Sequence, residues 1–144
     1  MAFSYRFLDE VALADLAFEV SGDSLRDLFQ GATNALIEAM AEPMTVGTTW
    51  TQTIHREESD PSALLFDWLS DLVYWKDAAG VVFSKAALDL REEQGIVKLE
   101  ATLFGEKVNP NAHVLRADVK GVTKHLYEVK REGARWIARV VVDV

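Results

Sequence analysis

In "LADLAFEVSG", Leu16, Phe18 and Val20 alternate with Ala17 and Glu19, and a period of two predicts a half-buried strand. The period then lengthens. Leu25, Leu28, Phe29, Ala32, Leu36, Ala39 and Met40 recur at helical spacing and form one apolar stripe. Asp23 or Ser24 is placed to accept from the free first-turn amides, and Pro43 lies just beyond the end. "TVGTTWTQTIHREE" is threonine-rich and alternating, which suits a pleated strand. A second helix follows, with Asp60 as its cap and Pro61 at the first helical position, where the missing N–H costs nothing. Leu64, Leu65, Trp68, Leu69, Leu72 and Val73 make its buried face.

Beyond that helix the pattern is strand-like to the end. "GVVFSKAALDL", "GIVKLEATLFG", "HVLRADVKGV", "KHLYEVKRE" and "RWIARVVVDV" read as strands separated by turn residues. Gly133 within "REGAR" marks a hairpin that pairs the last two antiparallel. "FGEKVNPNAH" is a longer loop, because Pro110 between two asparagines cannot continue a ladder. There is no internal repeat, linker or low-complexity tract. The expected architecture is α+β, a single domain over residues 1–144 with two helices packed on a largely antiparallel sheet.

Composition narrows the function classes. Hydrophobic residues at 49% and charged residues at 26% are the balance of a chain that buries a core. A net charge of −8 argues against direct nucleic-acid binding, which needs a basic surface, and suits a basic protein partner or a metal. The absence of cysteine removes disulfide and thiolate chemistry. The opening "MAFSYRFLDEVALADL" lacks a basic start followed by an apolar run, and no stretch reaches the ~18 apolar residues of a membrane span, so a cytoplasmic protein is expected.

No phosphate-binding glycine loop, GxGxxG, HExxH or GxSxG is present, and His55, His113 and His125 are scattered. Carboxylates and a lysine remain. Asp15 stands at the entrance to a strand, where it serves either as a solvated turn-former or as a hard oxygen ligand. Asp143 sits beside Val144, whose α-carboxylate is expected to add a second negative group. If the fold brings Asp15 to them, three anionic oxygen donors would suit Ca²⁺ or Mg²⁺; a fraying terminus is the plainer alternative. Lys120 precedes Gly121, and a glycine within a strand marks a bulge or a close approach. His125 reads most simply as a structural histidine.

Taken in order, "ADLAFEVSGDSLRDLFQGATNALIEAM", "LLFDWLSDLVYW", "GE" in the late loop, "VKGVTKH" and "WIARVVVDV" resemble the archease family, accessory proteins of the GTP-dependent RNA ligase of tRNA splicing. The resemblance runs over essentially the whole chain and implies an SHS2-like fold. It implies a non-catalytic activator that promotes guanylylation and multiple turnover of the ligase. It also implies a divalent metal site, calcium first and magnesium or manganese as alternatives, held by Asp15, Asp143 and the carboxylate of Val144. Lys120 matches the lysine of the family's Lys-Ala-x-Thr stretch, and with Asp15 it is implied in ligase activation. His125, closing "TKH", is implied as a supporting residue. The chain departs from the family where "ALAD" replaces His-Thr-Ala-Asp, with Ala12 and Leu13 for the polar pair, where Gly121 follows Lys120, and where Lys124 replaces an aromatic residue. Two other classes stay open on the residues alone: a small metal-dependent phosphoester hydrolase, and a chaperone-like protein-binding module.

Overall fold

A computed structural model of the chain describes residues 2–8 and 15–144. In chain order the elements are β1 (Phe3–Leu8), β2 (Asp15–Gly22), α1 (Leu25–Met40), β3 (Trp50–Glu58), α2 (Pro61–Ala79), β4 (Val81–Glu93), β5 (Ile96–Lys107), β6 (Gly121–Glu132) and β7 (Arg135–Asp143), with a short 3-10 turn at Pro43–Thr45. The α+β class and both helices follow the apolar periodicities. The strands divide into two antiparallel sheets, one ordered β1-β2-β7-β6 and the other β3-β5-β4.

The helices lie between the sheets. α1 packs on β1, β2 and β7 from one sheet and on β4 from the other, while α2 touches β6 on one side and β3, β4 and β5 on the other. Burial on two sides explains why α1 carries more than a stripe: twelve of its sixteen residues are buried, including Gly31, Ala35 and Ile37 off the expected face. Gly31 has a specific reason to be small. A Cβ there would sit 2.7 Å from Val20 Cγ1 and 3.0 Å from the Phe3 ring, so a side chain would force Val20, and with it the packing of the first sheet on the helix, to shift.

Caps form where the sequence places them. Ser24 accepts from the Asp27 N–H at 3.0 Å, which decides between the two cap candidates of α1. Asp60 accepts from the Ser62 N–H at 3.0 Å, and Gly80 ends α2 in the left-handed region at φ 64°. The C-terminus of α1 has no such local signal. Its Met40 and Ala39 carbonyls accept from the Arg116 and Ala117 N–H groups at 3.0 and 2.9 Å, so a distant segment closes the helix.

That segment corrects the expected strand over "HVLRADVKGV". Residues 113–120 form no strand apart from one bridge, Ala41 to Leu115, and the ladder starts only at Gly121. Their backbone groups are spent on the end of α1, which draws the chain away from a sheet edge. The pattern also misses β1, because its six residues are too short and too exposed to show alternation. Gly121 marks neither the bulge nor the close approach that a glycine there suggests: a Cβ would meet nothing within 4 Å, and the β6 register shifts further on, between Thr123 and Glu128.

One buried polar link ties the two helices. Trp68 Nε1–H donates to Thr33 Oγ1 at 2.8 Å, and Thr33 in turn donates to the Phe29 carbonyl at 2.6 Å, all without solvent exposure. Replacing Thr33 with valine keeps the volume and leaves the indole N–H unpaired in the core. The expected cost is ~1–3 kcal/mol, read as a lower midpoint in denaturant unfolding with an unchanged slope.

Candidate functional site

β7 occupies an interior position of its sheet, and its register decides what meets at its end. Ala138, Val140 and Val142 face the helices and belong to the core, so Ile137, Arg139, Val141 and Asp143 face the other way. Against β2 the register places Asp143 opposite Asp15 and Val142 opposite Leu16. Against β6 it places Asp143 opposite Gly121. Directly opposed residues project their Cβ atoms to the same face at ~4.5–5.5 Å, so Asp15 and Asp143 start side by side on one face although 128 positions separate them.

Lys120 joins the same end. Its backbone N–H donates to the Asp143 carbonyl oxygen at 2.8 Å, extending the ladder one residue before β6 begins. Three of the expected residues, Asp15, Asp143 and Lys120, are thus brought together by two strand pairings, with Val144 adjoining. His125 is not in that register. It is exposed on the β6 bulge, four positions beyond Gly121. Ala12 and Leu13, where the chain departs from the family stretch, lie outside the described residues.

Two further ion-pair systems hold the segment between β5 and Lys120, neither expected from the sequence. Lys76, in the last turn of α2, reaches Asp118 Oδ1 at 2.7 Å and Asp77 Oδ1 at 2.9 Å. Burial works to lower the lysine pKa, but the bonds to Asp118 and Asp77 outweigh it and hold the ammonium above its ordinary value. Asp118 is pulled below the usual carboxylate range, first by its bond to Lys76, with Lys120 adding in the same direction. The only sequence hint was a lysine near a helix C-terminus, where the dipole favours it.

The second system explains the "GE" pair. A Cβ on Gly105 would collide with the Val82 carbonyl, beside the β4 bulge at Phe83–Lys85, so only glycine fits. Glu106 accepts from the Gly47 N–H at 3.0 Å and pairs with His113 Nε2 at 2.6 Å. His113 Nδ1 accepts from the Asn109 N–H at 3.0 Å, so Nε2 carries the proton and donates to the carboxylate. The bond from His113, then that from Gly47, lowers the Glu106 pKa. One of the scattered histidines is therefore a buried pin for the loop after β5.

The fold defines a class, an α+β protein with two helices between two antiparallel sheets and a carboxylate pair at the end of its last strand. Residues 5–144 match the archease protein family, and the chain belongs to that family. The protein archease of Methanosarcina mazei is 30% identical over 141 residues, covering 97% of this chain and 95% of its own. That of Methanopyrus kandleri is 34% identical over 132 residues, covering 91% and 94%. The solution structure of a Methanobacterium thermoautotrophicum protein superimposes with a TM-score of 0.82 at 30% identity, over 97% of this chain and 98% of that one. A Thermotoga maritima crystal structure, described as an archease and possible chaperone, shares the fold at a TM-score of 0.63 and 22% identity, over 91% of each chain.

The depressed Glu106 pKa carries a sign. Its contribution to stability is present above the ordinary carboxylate pKa of about 4.3 and is lost as pH falls through the lower folded value. Glu106→Gln should therefore lower the melting temperature most at neutral pH. The gap to wild type should close as melts are repeated into acid.

Proposed function

We propose that this protein is a non-catalytic accessory factor that activates a GTP-dependent RNA ligase, promoting its guanylylation and turnover in the cytoplasm. The observation that carries the reading is the meeting of Asp15, Asp143 and Lys120 at one end of the sheet. Like charges directly opposed across a ladder destabilise it, so a carboxylate pair in that position is better suited to a ligand than to the fold. The family membership supports an accessory role, since the resemblance that names the family implies one.

Among the described residues no three His, Cys, Asp or Glu side chains converge as a self-sufficient metal centre. The donor chemistry fits a hard divalent cation, calcium or magnesium, held by Asp15 and Asp143 with a main-chain oxygen of Val144. Such a cation would supply positive charge for phosphate oxygens of a nucleotide. Lys120, exposed and joined through its backbone N–H to the Asp143 carbonyl, would offer an ammonium on a long side chain to the same kind of group. The protein's own part is to hold these charges on a rigid strand end, where little reorganisation is needed.

The test is a reconstituted ligase assay with GTP. Asp15→Ala and Lys120→Ala should each lower the stimulated turnover at least about tenfold, equivalent to ~1.4 kcal/mol. Stimulation unchanged in both variants would end the proposal, and so would hydrolysis of phosphoesters by the isolated protein. Separately, calorimetry with Ca²⁺ and Mg²⁺ should show binding to wild type that Asp143→Asn weakens by about tenfold or more; outer oxygen partners alone are worth that much.

A further inference from the structure

A cleft of about 380 Å³ opens between the C-terminal ends of both helices, the start of β4 and the segment 108–118. Its floor is apolar, formed by Met40, Val81, Val82 and Ala117, and Val108 and Leu115 stand at its rim. Val108 is 46% exposed and Leu115 42%. Val114, on the same segment, and Met44, in the turn hydrogen-bonded to it, are also exposed. Among the described residues, half of the large hydrophobic side chains that face solvent are thus gathered on this segment and its neighbouring turn. Gathered apolar exposure next to a concavity marks a binding surface, whereas single exposed residues would mark nothing.

Charge at the mouth is asymmetric. Lys76 is sunk, with only 11% of its side chain exposed, while its partners Asp77 and Asp118 stand 64% and 78% exposed. An incoming surface therefore meets these carboxylates before the Lys76 ammonium, and Arg116, the other cation of the lining, is paired with Glu38 and Glu42, on a chain whose net charge is −8. The cleft is also continuous with the carboxylate end. Asp118 is two residues from Lys120, and Arg116 and Ala117 are shared with an adjoining hollow lined by Leu16, the neighbour of Asp15.

We propose that this cleft is the docking anchor for the ligase. It takes an apolar side chain of the partner protein, flanked by lysine or arginine residues that meet Asp77 and Asp118. The proposal rests on the accessory-factor reading and adds to it the surface and the chemistry of recognition. A buried apolar anchor within a charged rim would supply affinity from the cleft and orientation from the rim. Docking here sets the partner beside Asp15, Asp143 and Lys120.

The experiment measures ligase binding by calorimetry for wild type, Leu115→Glu, Val108→Glu and, as a control on the outer face of the second sheet, Thr51→Glu. Each substituted side chain is exposed, and melting curves verify the fold. Both cleft variants should raise Kd at least about tenfold, a difference of ~1.4 kcal/mol, with Thr51→Glu unchanged. Binding to wild type should also weaken with salt, as pairing with exposed carboxylates requires. Equal affinity of wild type and both cleft variants would overturn the docking site and leave the accessory reading standing. No binding of ligase to wild type would overturn both. Self-association in light scattering that Leu115→Glu abolishes would name a second copy as the occupant and overturn the proposal.

Discussion

The insertion of β7 between β2 and β6 is the constraint on which the rest depends. Its valines are buried on both faces near the end of the strand, with Val141 as fully enclosed as Val140 and Val142. Alternation then leaves no freedom of register. A slip of one residue would turn Val142 outward and drive the Asp143 carboxylate into the helix layer, and burying an unpaired charge costs more than the strand can return. The same apolar packing that stabilises the sheet therefore holds Asp143 opposite Asp15 and beside Lys120. Opposed carboxylates are a local cost that the surrounding core sustains.

The segment between β5 and β6 carries the second structural role. It forms no regular element, yet its backbone closes the C-terminus of α1 and its His113 is pinned by Glu106. At its far end Asp118 neutralises Lys76. An ammonium so nearly buried would be expensive without a partner, so the pairing fixes where the segment runs into Lys120. Helix ends, loop and strand end are linked in this way without a shared motif.

The outer strand of the same sheet has a different problem to manage. β6 has a free edge, and its register breaks between Thr123 and Glu128. Within the bulge Leu126 adopts φ 54°, a conformation that leucine rarely takes. Arg139 Nε donates to the Leu126 carbonyl at 2.9 Å, and Tyr127 OH donates to the Ser62 carbonyl at 2.6 Å, so neighbours hold the distortion in place. Lys124 lies over the Phe66 ring at 3.7 Å. A kinked, charged edge resists pairing with another chain.

Much of the fold was legible because it follows from local period and local chemistry. Both helices, the Asp60 cap, the placing of the α1 cap at Asp23 or Ser24, the turn at Gly133 and the alternation of β7 need only neighbouring residues to specify them. Asp15, Asp143 and Lys120 could be singled out as chemistry-bearing residues, and the family's closing pattern could be matched. Their meeting could not be read locally, since strand pairing between positions 15 and 143 is settled by how the whole core closes. The split into two sheets, the tertiary closure of α1 by residues 116 and 117, and the pairing of Lys76 with Asp118 were equally hidden. Periodicity states which face of an element must be buried. What it is buried against, and which polar groups are thereby brought together, depends on contacts between segments far apart in the chain.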